Sequence, residues 1–418
     1  MNDTFDVAII GGGPAGSSAG TLLAKAGRRV IIFEKEKFPR FRVGESTLPA
    51  TLNTLERMGV REKIDNAGFL IKYGGEIVSA CGKRVRFYFR NGFKAKRATA
   101  YQILRSEFDR ILLEHAAESG CEVRQQTAID SFEIDDKGVT VYPGAGTNGV
   151  RARYVIDCSG RNCLIGTRFQ LKRSYDHLRK FSLYAYYDDV RREDGPDGTL
   201  TRMVRAKDSW FWMIPLSGAT TSIGVVMDTE KFRRMKMNPT EALDYCITEQ
   251  PVVREWMDNA RRVTDVYATG DFSYRNQRLF GDRWLLAGDA AGFIDPVFSS
   301  GVYLALLSGE QAADSLNIVL DHPERLPKAF RYYERRIGRV LDIYLRWASA
   351  WYTQEFVEVF LYPKEMFEVV PAVSAVLSGN ELHDFNIRWR ICIFEILVAL
   401  QKRTSKIAPR LTLTPRTT

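Results

Sequence analysis

The feature that most constrains this chain is a glycine-rich turn near the N-terminus, in the stretch FDVAIIGGGPAGSSAGTLLAKAGRRVIIFEKE. An apolar run, residues 5–10, leads into the pattern Gly11-x-Gly13-x-x-Gly16, and a second apolar run, residues 29–33, ends at Glu34. This order predicts a strand, a helix and a parallel second strand. Glycines permit the tight turn and let the backbone approach a pyrophosphate at the helix N-terminus, and Glu34 can accept hydrogen bonds from ribose hydroxyls. The unit therefore predicts dinucleotide binding.

Composition sets the outer limits of the fold. The 418 residues are 45% hydrophobic and 27% charged, which is typical of a globular chain with one large domain plus additions, or with two domains. The six cysteines form no CxxC pair, the four histidines fall in no metal pattern, and the first residues lack the regions of a signal peptide. We therefore expect a reduced, cytoplasmic protein without a bound metal. The apolar run ICIFEILVAL is interrupted by Glu395 and is too short to span a bilayer.

The formal net charge of +9 is concentrated in part at the C-terminus, where QKRTSKIAPRLTLTPRTT contains five basic and no acidic residues. Such a tail can attract nucleic acid, an anionic membrane or an acidic protein. Because no nucleic-acid motif accompanies it, we expect no nucleic-acid partner and a solvated, frayed terminus.

Two further segments indicate which dinucleotide is bound. RYVIDCSGRN predicts a strand over residues 153–157 that enters a glycine turn, and DRWLLAGDAAGFIDP predicts a strand followed by a turn at Asp289. Both resemble the second and third cofactor motifs of FAD enzymes built like p-hydroxybenzoate hydroxylase. The resemblance implies an α/β fold: a Rossmann-like FAD-binding domain of that type, a β-sheet substrate domain and a helical C-terminal region.

The same resemblance implies a set of cofactor-binding residues. Arg42, Gln102 and Arg105 are expected against the FAD, with surface charge or helix capping as the alternative for each. The full expected set is Gly11, Gly13, Pro14, Ala15, Gly16, Glu34, Lys35, Arg42, Ser46, Gln102, Arg105, Asp289, Pro296 and Gly301. No second nucleotide motif follows, so a separate flavin reductase is expected to supply FADH2.

Three patterns lie on this scaffold. DSWFWMIPL, which by itself predicts a buried strand, contains Trp210 and Trp212 in the pattern WxWxIP; FIDPVFSSG completes FxxPxxSxG; and NAGFLIKYGGEI places Lys72 in a K-x-G setting. Together they resemble the flavin-dependent halogenases over residues 1 to about 320.

The halogenase resemblance implies a role for each group. FADH2, O2 and chloride or bromide give hypohalous acid, with the halide held near the backbone N–H groups of Ser300 and Gly301, and Ser299 counted among the catalytic residues. Lys72, across a tunnel, holds the oxidant by a hydrogen bond or as a chloramine, as suits an amine that loses its proton readily. Trp210 and Trp212 wall the passage between flavin and substrate.

The stretches GESTLPATL and DPVFSSGVYLA resemble the branch that halogenates phenolic or pyrrolic rings. Phe298 stands where tryptophan-halogenating members carry a Glu, which argues against free tryptophan as the substrate. The implied partner is an electron-rich aromatic substrate, free or attached to an acyl or peptidyl carrier protein. The alternatives are a flavin monooxygenase or prenyl reductase on the same scaffold, and a non-catalytic FAD-bound docking protein.

The expected domain plan follows from these positions. Residues 1–320 form the FAD-binding domain, interleaved with substrate-domain segments at about 70–100 and 170–270, and residues 321–418 form a helical region with the basic tail. Apolar residues at helical spacing predict two helical stretches in that region, with Pro363 and Pro371 marking the break between them.

Overall fold

The computed structural model describes residues 4–144, 146, 148–270, 273–363, 365–379 and 384–414. Strands and helices alternate through the first 300 residues, and helices alone follow. The strands are β1 Phe5–Ile10, β2 Val30–Phe33, β3 Leu70–Lys72, β4 Gly74–Ser79, β5 Arg84–Tyr88, β6 Ala100–Gln102, β7 Glu122–Arg124, β8 Ser131–Asp135, β9 Gly138–Tyr142, β10 Val150–Asp157, β11 Lys172–Ser174, β12 Lys180–Asp188, β13 Thr201–Arg205, β14 Ser209–Pro215, β15 Thr221–Asp228, β16 Arg261–Arg262, β17 Tyr267–Gly270, β18 Tyr274–Asn276, β19 Trp284–Leu286 and β20 Gly292–Phe293.

The helices frame two sheets and make up the C-terminal region. They are α1 Pro14–Lys25, α2 Thr51–Met58, α3 Arg61–Asn66, α4 Arg105–Glu118, α5 Leu164–Arg168, α6 Thr229–Met235, α7 Pro239–Thr248, α8 Pro251–Trp256, α9 Gly301–Asp321, α10 Leu326–Trp351, α11 Gln354–Leu361, α12 Val369–Leu377 and α13 Phe385–Thr404. Short 3-10 turns cover Gly288–Ala290 and Pro296–Phe298.

The first sheet has the order β7-β2-β1-β10-β9-β8, with β19 also paired to β10. Its central strands run parallel and are buried along nearly their whole length, as expected for strands covered on both faces. Helix α1 connects β1 to β2 and packs against α9. The two helices approach so closely that a Cβ on Gly309 of α9 would lie 2.2 Å from the carbonyl oxygen of Ala15, so this position requires glycine. The predicted strand–helix–strand unit is confirmed.

The second sheet has the order β16-β12-β15-β14-β13-β4-β5, with β17 alongside β12. It is built from residues 74–88 and 180–270, inside the two segments expected for a substrate domain, although the division into domains itself stays a prediction. The buried strand predicted from WFWMIP is confirmed as β14. Its alternate residues face different cores: Trp210 and Trp212 face the core shared with the first sheet, and Phe211 and Met213 face a core with α7 and α8.

The C-terminal region is helical, as expected, but its described residues form four helices, α10 to α13, rather than the two predicted stretches. Pro371 lies in the first turn of α12 rather than between helices, a position where the missing N–H of proline leaves no helical hydrogen bond unmade.

The expectation of a frayed tail is wrong for residues 405–414. Leu411 is buried and donates its N–H to the Glu358 carboxylate at 3.0 Å, and Gln401 accepts the N–H groups of Ile407 and Ala408. The apolar residues between the basic ones bury against α11 and α13, which the charge count alone does not reveal. Arg416 lies outside the described residues.

All six cysteines are free. Across the part of the chain that the structure describes, no helix is both long and apolar enough to cross a membrane.

Candidate active site

The turn between β1 and α1 forms a cradle for a phosphate group. Gly11 has φ of +105°, and a Cβ on Gly16 would lie 1.9 Å from the Gly11 carbonyl oxygen, so glycine is required at both positions. Gly13 caps α1 with extended backbone and no side-chain hydrogen bond, which leaves the first N–H groups of the helix for a ligand. Glu34 is buried at the end of β2, where its Oε2 accepts the N–H of Gly12 at 2.8 Å.

A pair of arginines, fixed by one buried carboxylate, lies beside this cradle. Asp109 accepts hydrogen bonds from Arg105 at 2.9 and 3.0 Å and from Arg40 at 2.8 Å. A Cβ on Gly13 would lie 3.5 Å from Nη2 of Arg40, whose other nitrogens pair with Asp109 at 2.8 Å and with Glu36 at 3.2 Å. An arginine held by carboxylates beside a helix N-terminus suits the pyrophosphate of FAD. Arg40 was missed by sequence reasoning, which assigned the nearby Arg42.

Arg42 and Lys35 are exposed, and Arg42 forms an ion pair with Glu36 at 2.5 Å. This position is the surface-charge alternative stated for Arg42. Cofactor roles for Arg42 and Lys35 stay predictions.

The turn at Gly288–Ala290 closes the cradle from the other side. A Cβ on Gly288 would lie 2.9 Å from the Cβ of Ala15, which follows Pro14 at the start of α1. Desolvation by the surrounding protein raises the pKa of Asp289 to about 6, while Arg105 and Arg161 oppose the rise. The structure thus brings Asp289 and Arg105 together with the glycine turn, as expected of residues that hold one cofactor.

Lys72, at the end of β3, is the centre of a second group. Its side chain is 3% exposed, and Nζ donates to Oγ of Ser46 at 2.7 Å and to the Thr47 carbonyl oxygen at 3.1 Å. The ring of Phe89 lies 5.3 Å from Nζ. Burial lowers the pKa of Lys72 to about 7, because no carboxylate pairs with it among the described residues. A neutral amine has two N–H donors and one lone pair, so these two acceptors leave the lone pair free for a reagent.

Ser46 belongs to a chain of polar side chains behind Lys72. Its Oγ lies 2.9 Å from Oγ1 of Thr201, which accepts from Nε2 of Gln102 at 2.9 Å. Nε2 of Gln102 also donates to the Thr199 carbonyl oxygen at 3.0 Å. The structure places the side chains of Ser46 and Gln102 behind Lys72, and the FAD contacts predicted for both residues stay predictions. Thr201, on the distant strand β13, carried no sequence signal.

Lys72 and the loop that is expected to bind the halide, residues 296–301 (the halide loop), contribute to the lining of one narrow cavity. The loop begins with the 3-10 turn Pro296–Phe298, passes through Ser299 with φ of +55°, and leads into α9, where Ser300 is the N-cap and Gly301 the first helical residue. Helix α9 has 21 residues and no side-chain cap, so its N-terminal N–H groups suit an anion. The cavity is lined by Leu48, Lys72, Gly75, Ile77, Phe87, Thr201, Met203, Val297, Phe298, Ser299 and Leu377. Lys72 and Ser299 of the halide loop therefore line the same small, mostly apolar cavity.

Trp210 and Trp212 are not among the residues that line this cavity but lie on β14, the strand next to the cavity residues of β13. Trp212 is the cross-strand neighbour of Met203, a cavity residue, and its Nε1 donates to Oγ of Ser222 at 3.2 Å. The Nε1 of Trp210 donates to the Tyr352 hydroxyl at 3.0 Å. Both indoles are fixed by packing and hydrogen bonds, as a wall requires, and their role as a wall stays a prediction.

We expect Ser46→Ala to lower halogenated product per flavin oxidised by about tenfold, because loss of one hydrogen bond to the amine lets Nζ of Lys72 rotate away from the cavity. FAD binding should not change. The measurement is product by mass spectrometry against oxygen consumed. Ser182→Ala is the matched control, because Ser182 is a buried serine on β12 of the second sheet whose Oγ donates to the Thr269 carbonyl oxygen at 3.3 Å. Equal product yields from both variants would contradict the role assigned to Ser46.

The comparisons with known proteins agree with this geometry. Residues 4–329 match the family model described as FAD binding domain. The chain is 31% identical over 407 residues to the 1H-pyrrole-2-carbonyl-(peptidyl-carrier protein) chlorinase of Pseudomonas fluorescens, covering 90% of this chain and 91% of that protein. It is 34% identical over 324 residues to the corresponding brominase of Pseudoalteromonas luteoviolacea, covering 76% and 78%.

A solved structure of the flavin-dependent brominase Bmp2 superimposes with a TM-score of 0.86 at 28% identity, over 96% of this chain and 99% of the other. The glycine cradle and the buried Lys72 agree with these similarities. The chain belongs to the FAD-binding-domain family and, within it, to the flavin-dependent halogenases.

Proposed function

We propose that this halogenase acts on a pyrrole or phenol ring attached to a carrier protein, with FADH2 delivered by a separate reductase. The observation that carries the chemistry is the single cavity that joins Ser299 of the halide loop to Lys72. Bound FADH2 would supply two of the four electrons that O2 takes up and the halide ion the other two, so that FADH2, O2, the halide and a proton become FAD, hypohalous acid and water. The other steps belong to residues of this chain.

Chloride or bromide binds at the backbone N–H groups of Ser300 and Gly301, where the dipole of α9 favours an anion. Hypohalous acid crosses the apolar cavity and meets Nζ of Lys72, whose lone pair either accepts its hydrogen bond or takes the halogen and releases water. The ring then gains the halogen and loses a proton, which forms water with the hydroxide of the hypohalous acid or restores the amine of Lys72 from the N-halogenated form. Trp210 and Trp212 keep the ring from the flavin, so that the ring is not hydroxylated.

The residues that line the cavity favour an electron-rich ring as the substrate. Phe298 lines the cavity where an indole-directing carboxylate stands in tryptophan-specific members, so the site offers no carboxylate to orient an indole. Pyrrole and phenol rings already carry enough electron density to react.

Attachment to a carrier is favoured by charge next to the cavity. No acidic residue occurs between Glu76 and Glu107. The loop that follows Phe89 presents Arg90 and Lys96 as exposed side chains without an ion pair among the described residues. Carrier proteins are acidic, so this loop offers charge complementarity close to Lys72. The chlorinase and brominase relatives are also named for pyrroles bound to a peptidyl carrier protein.

We expect Arg90→Glu combined with Lys96→Glu to raise KM for the carrier-loaded ring by about tenfold at low salt, and to leave turnover of the same ring presented free unchanged. Steady-state rates at low and high salt measure both. The control is the charge reversal Arg173→Glu on the exposed strand β11. Equal effects on free and carrier-loaded rings would contradict tethered delivery.

The lowered pKa of Lys72 predicts a pH dependence. Below about pH 7 the amine is protonated and has no lone pair, and above it the neutral form dominates. Product formed per flavin oxidised should therefore rise about tenfold from pH 6 to pH 8. A stopped-flow and product-yield series over this range measures it. A flat yield in this window would show that the neutral amine is not required.

A further inference from the structure

The C-terminal helical region contributes a side chain to the wall of the halogenation site. Helix α10 ends at Trp351, and the next residue, Tyr352, is partly buried and packs against the main hydrophobic core. The ring of Trp351 contacts both Trp210 and Phe298, with centroids 6.3 and 6.2 Å apart. The end of α10 therefore touches both the tryptophan strand and the halide loop.

The hydroxyl of Tyr352 connects these two elements. The Nε1–H of Trp210 donates to the phenol oxygen at 3.0 Å, and the phenol O–H donates to Oδ2 of Asp295 at 2.8 Å. The other carboxylate oxygen of Asp295 accepts the N–H of Val297 at 3.0 Å and so caps the 3-10 turn that precedes Ser299. One hydroxyl thus accepts a hydrogen bond from Trp210 and donates one to the carboxylate that caps the loop before Ser299.

The backbone of Tyr352 is fixed as well. Arg205 of β13, which is 2% exposed, donates from Nη2 to the Tyr352 carbonyl oxygen at 3.2 Å and from Nε to the Trp351 carbonyl oxygen at 3.3 Å. Nζ of Lys180 lies 3.8 Å from the centroid of the Tyr352 ring. The hydrogen bonds from Arg205 and the contact with Lys180 hold Tyr352 from two sides and fix the orientation of its phenol, as a positioning residue requires.

We infer that Tyr352 is a positioning residue of the halogenase. Its hydroxyl fixes the position of the Trp210 indole relative to the halide loop that Asp295 caps, so that the halide is held where it can be oxidised. The inference rests on the proposed function for its effect on product, and on the geometry alone for its effect on halide binding.

Tyr352→Phe removes the hydroxyl and keeps the ring. We expect FAD affinity and the rate of flavin reoxidation to stay within about twofold of wild type, the bromide concentration for half-saturation to rise about tenfold, and product per flavin oxidised to fall about fivefold and recover in part at high bromide. Tyr362→Phe makes the same chemical change in the C-terminal region, at a side chain without a hydroxyl hydrogen bond among the described residues, and should behave as wild type.

Bromide binding is also measured without turnover, by titrating bromide into the FAD-loaded protein and following the flavin absorbance. A wild-type protein that binds bromide but makes no halogenated product would count against the proposed function. The bromide titration of wild type and Tyr352→Phe would then decide the inference about Tyr352. A folded Tyr352→Phe protein with wild-type bromide binding would overturn the inference. If this variant does not fold, Asp295→Asn, which can still cap Val297 through its amide oxygen, must show the same weakening of bromide binding, and its absence would overturn the inference as well.

Discussion

Lys72→Ala is expected to abolish halogenation, with product per flavin oxidised at least about 1,000-fold below wild type, while FAD binding and flavin reoxidation persist. The reason is position: Nζ lies at the far side of the cavity from the halide loop and among Ser46, Thr47 and Phe89, away from the glycine cradle. Its removal leaves oxidant formation intact and takes away the group that presents the oxidant to the ring. Product by mass spectrometry and flavin reoxidation by stopped-flow absorbance measure the two parts separately.

Lys72→Arg tests whether halogenation needs the positive charge of Lys72 or the lone pair of its neutral amine. Arginine keeps a cation of similar length but cannot become neutral near pH 7. If the neutral amine is the working form, this variant is as inactive as Lys72→Ala. A Lys72→Arg protein with near wild-type product would mean that only a positive charge is needed, and product from Lys72→Ala would remove the residue from the mechanism.

Gly16→Ala is expected to weaken FAD binding by about 100-fold or more. An added Cβ would lie 1.9 Å from the backbone carbonyl oxygen of Gly11, so the turn must open and the N–H groups of α1 leave their positions. Fluorescence titration of FAD measures the loss. Gly27→Asn is the control, because Gly27 has φ of +79°, which asparagine tolerates, and an added Cβ there meets nothing within 4 Å. Retained FAD affinity in Gly16→Ala would show that the cradle is not the cofactor site.

The sequence was informative where function depends on local geometry. The turn at Gly11, Gly13 and Gly16, the acid at the end of β2 and the strand with Trp210 are set by contacts between near neighbours, and the fold class inferred from them is confirmed. Periodicity and turn chemistry report such contacts directly.

Contacts between distant segments could not be read in this way. Ser46 and Thr201 are 155 positions apart and meet behind Lys72, and Trp210 meets Tyr352 across 142 positions. Arg40 and Arg42 are two residues apart in one motif, and only the fold shows that the first approaches the cradle while the second forms a surface ion pair. The number of basic residues led to a wrong prediction of a frayed C-terminal tail. The tail is packed because Leu411 is buried and donates its N–H to Glu358.

The most direct test of the account is one reaction carried out with the whole protein. Purified enzyme, FAD, a flavin reductase, NADH, O2 and bromide are combined with a pyrrole or phenol ring loaded on a carrier protein, and the ring is analysed by mass spectrometry, with parallel reactions that omit the reductase or use Lys72→Ala. We expect a product with the isotope pattern of one or more bromine atoms, formed only by the wild-type enzyme and only slowly when NADH alone must reduce the flavin. A hydroxylated ring, or a brominated ring formed equally by Lys72→Ala, would contradict the assignment of a halogenase that delivers hypohalous acid through Lys72.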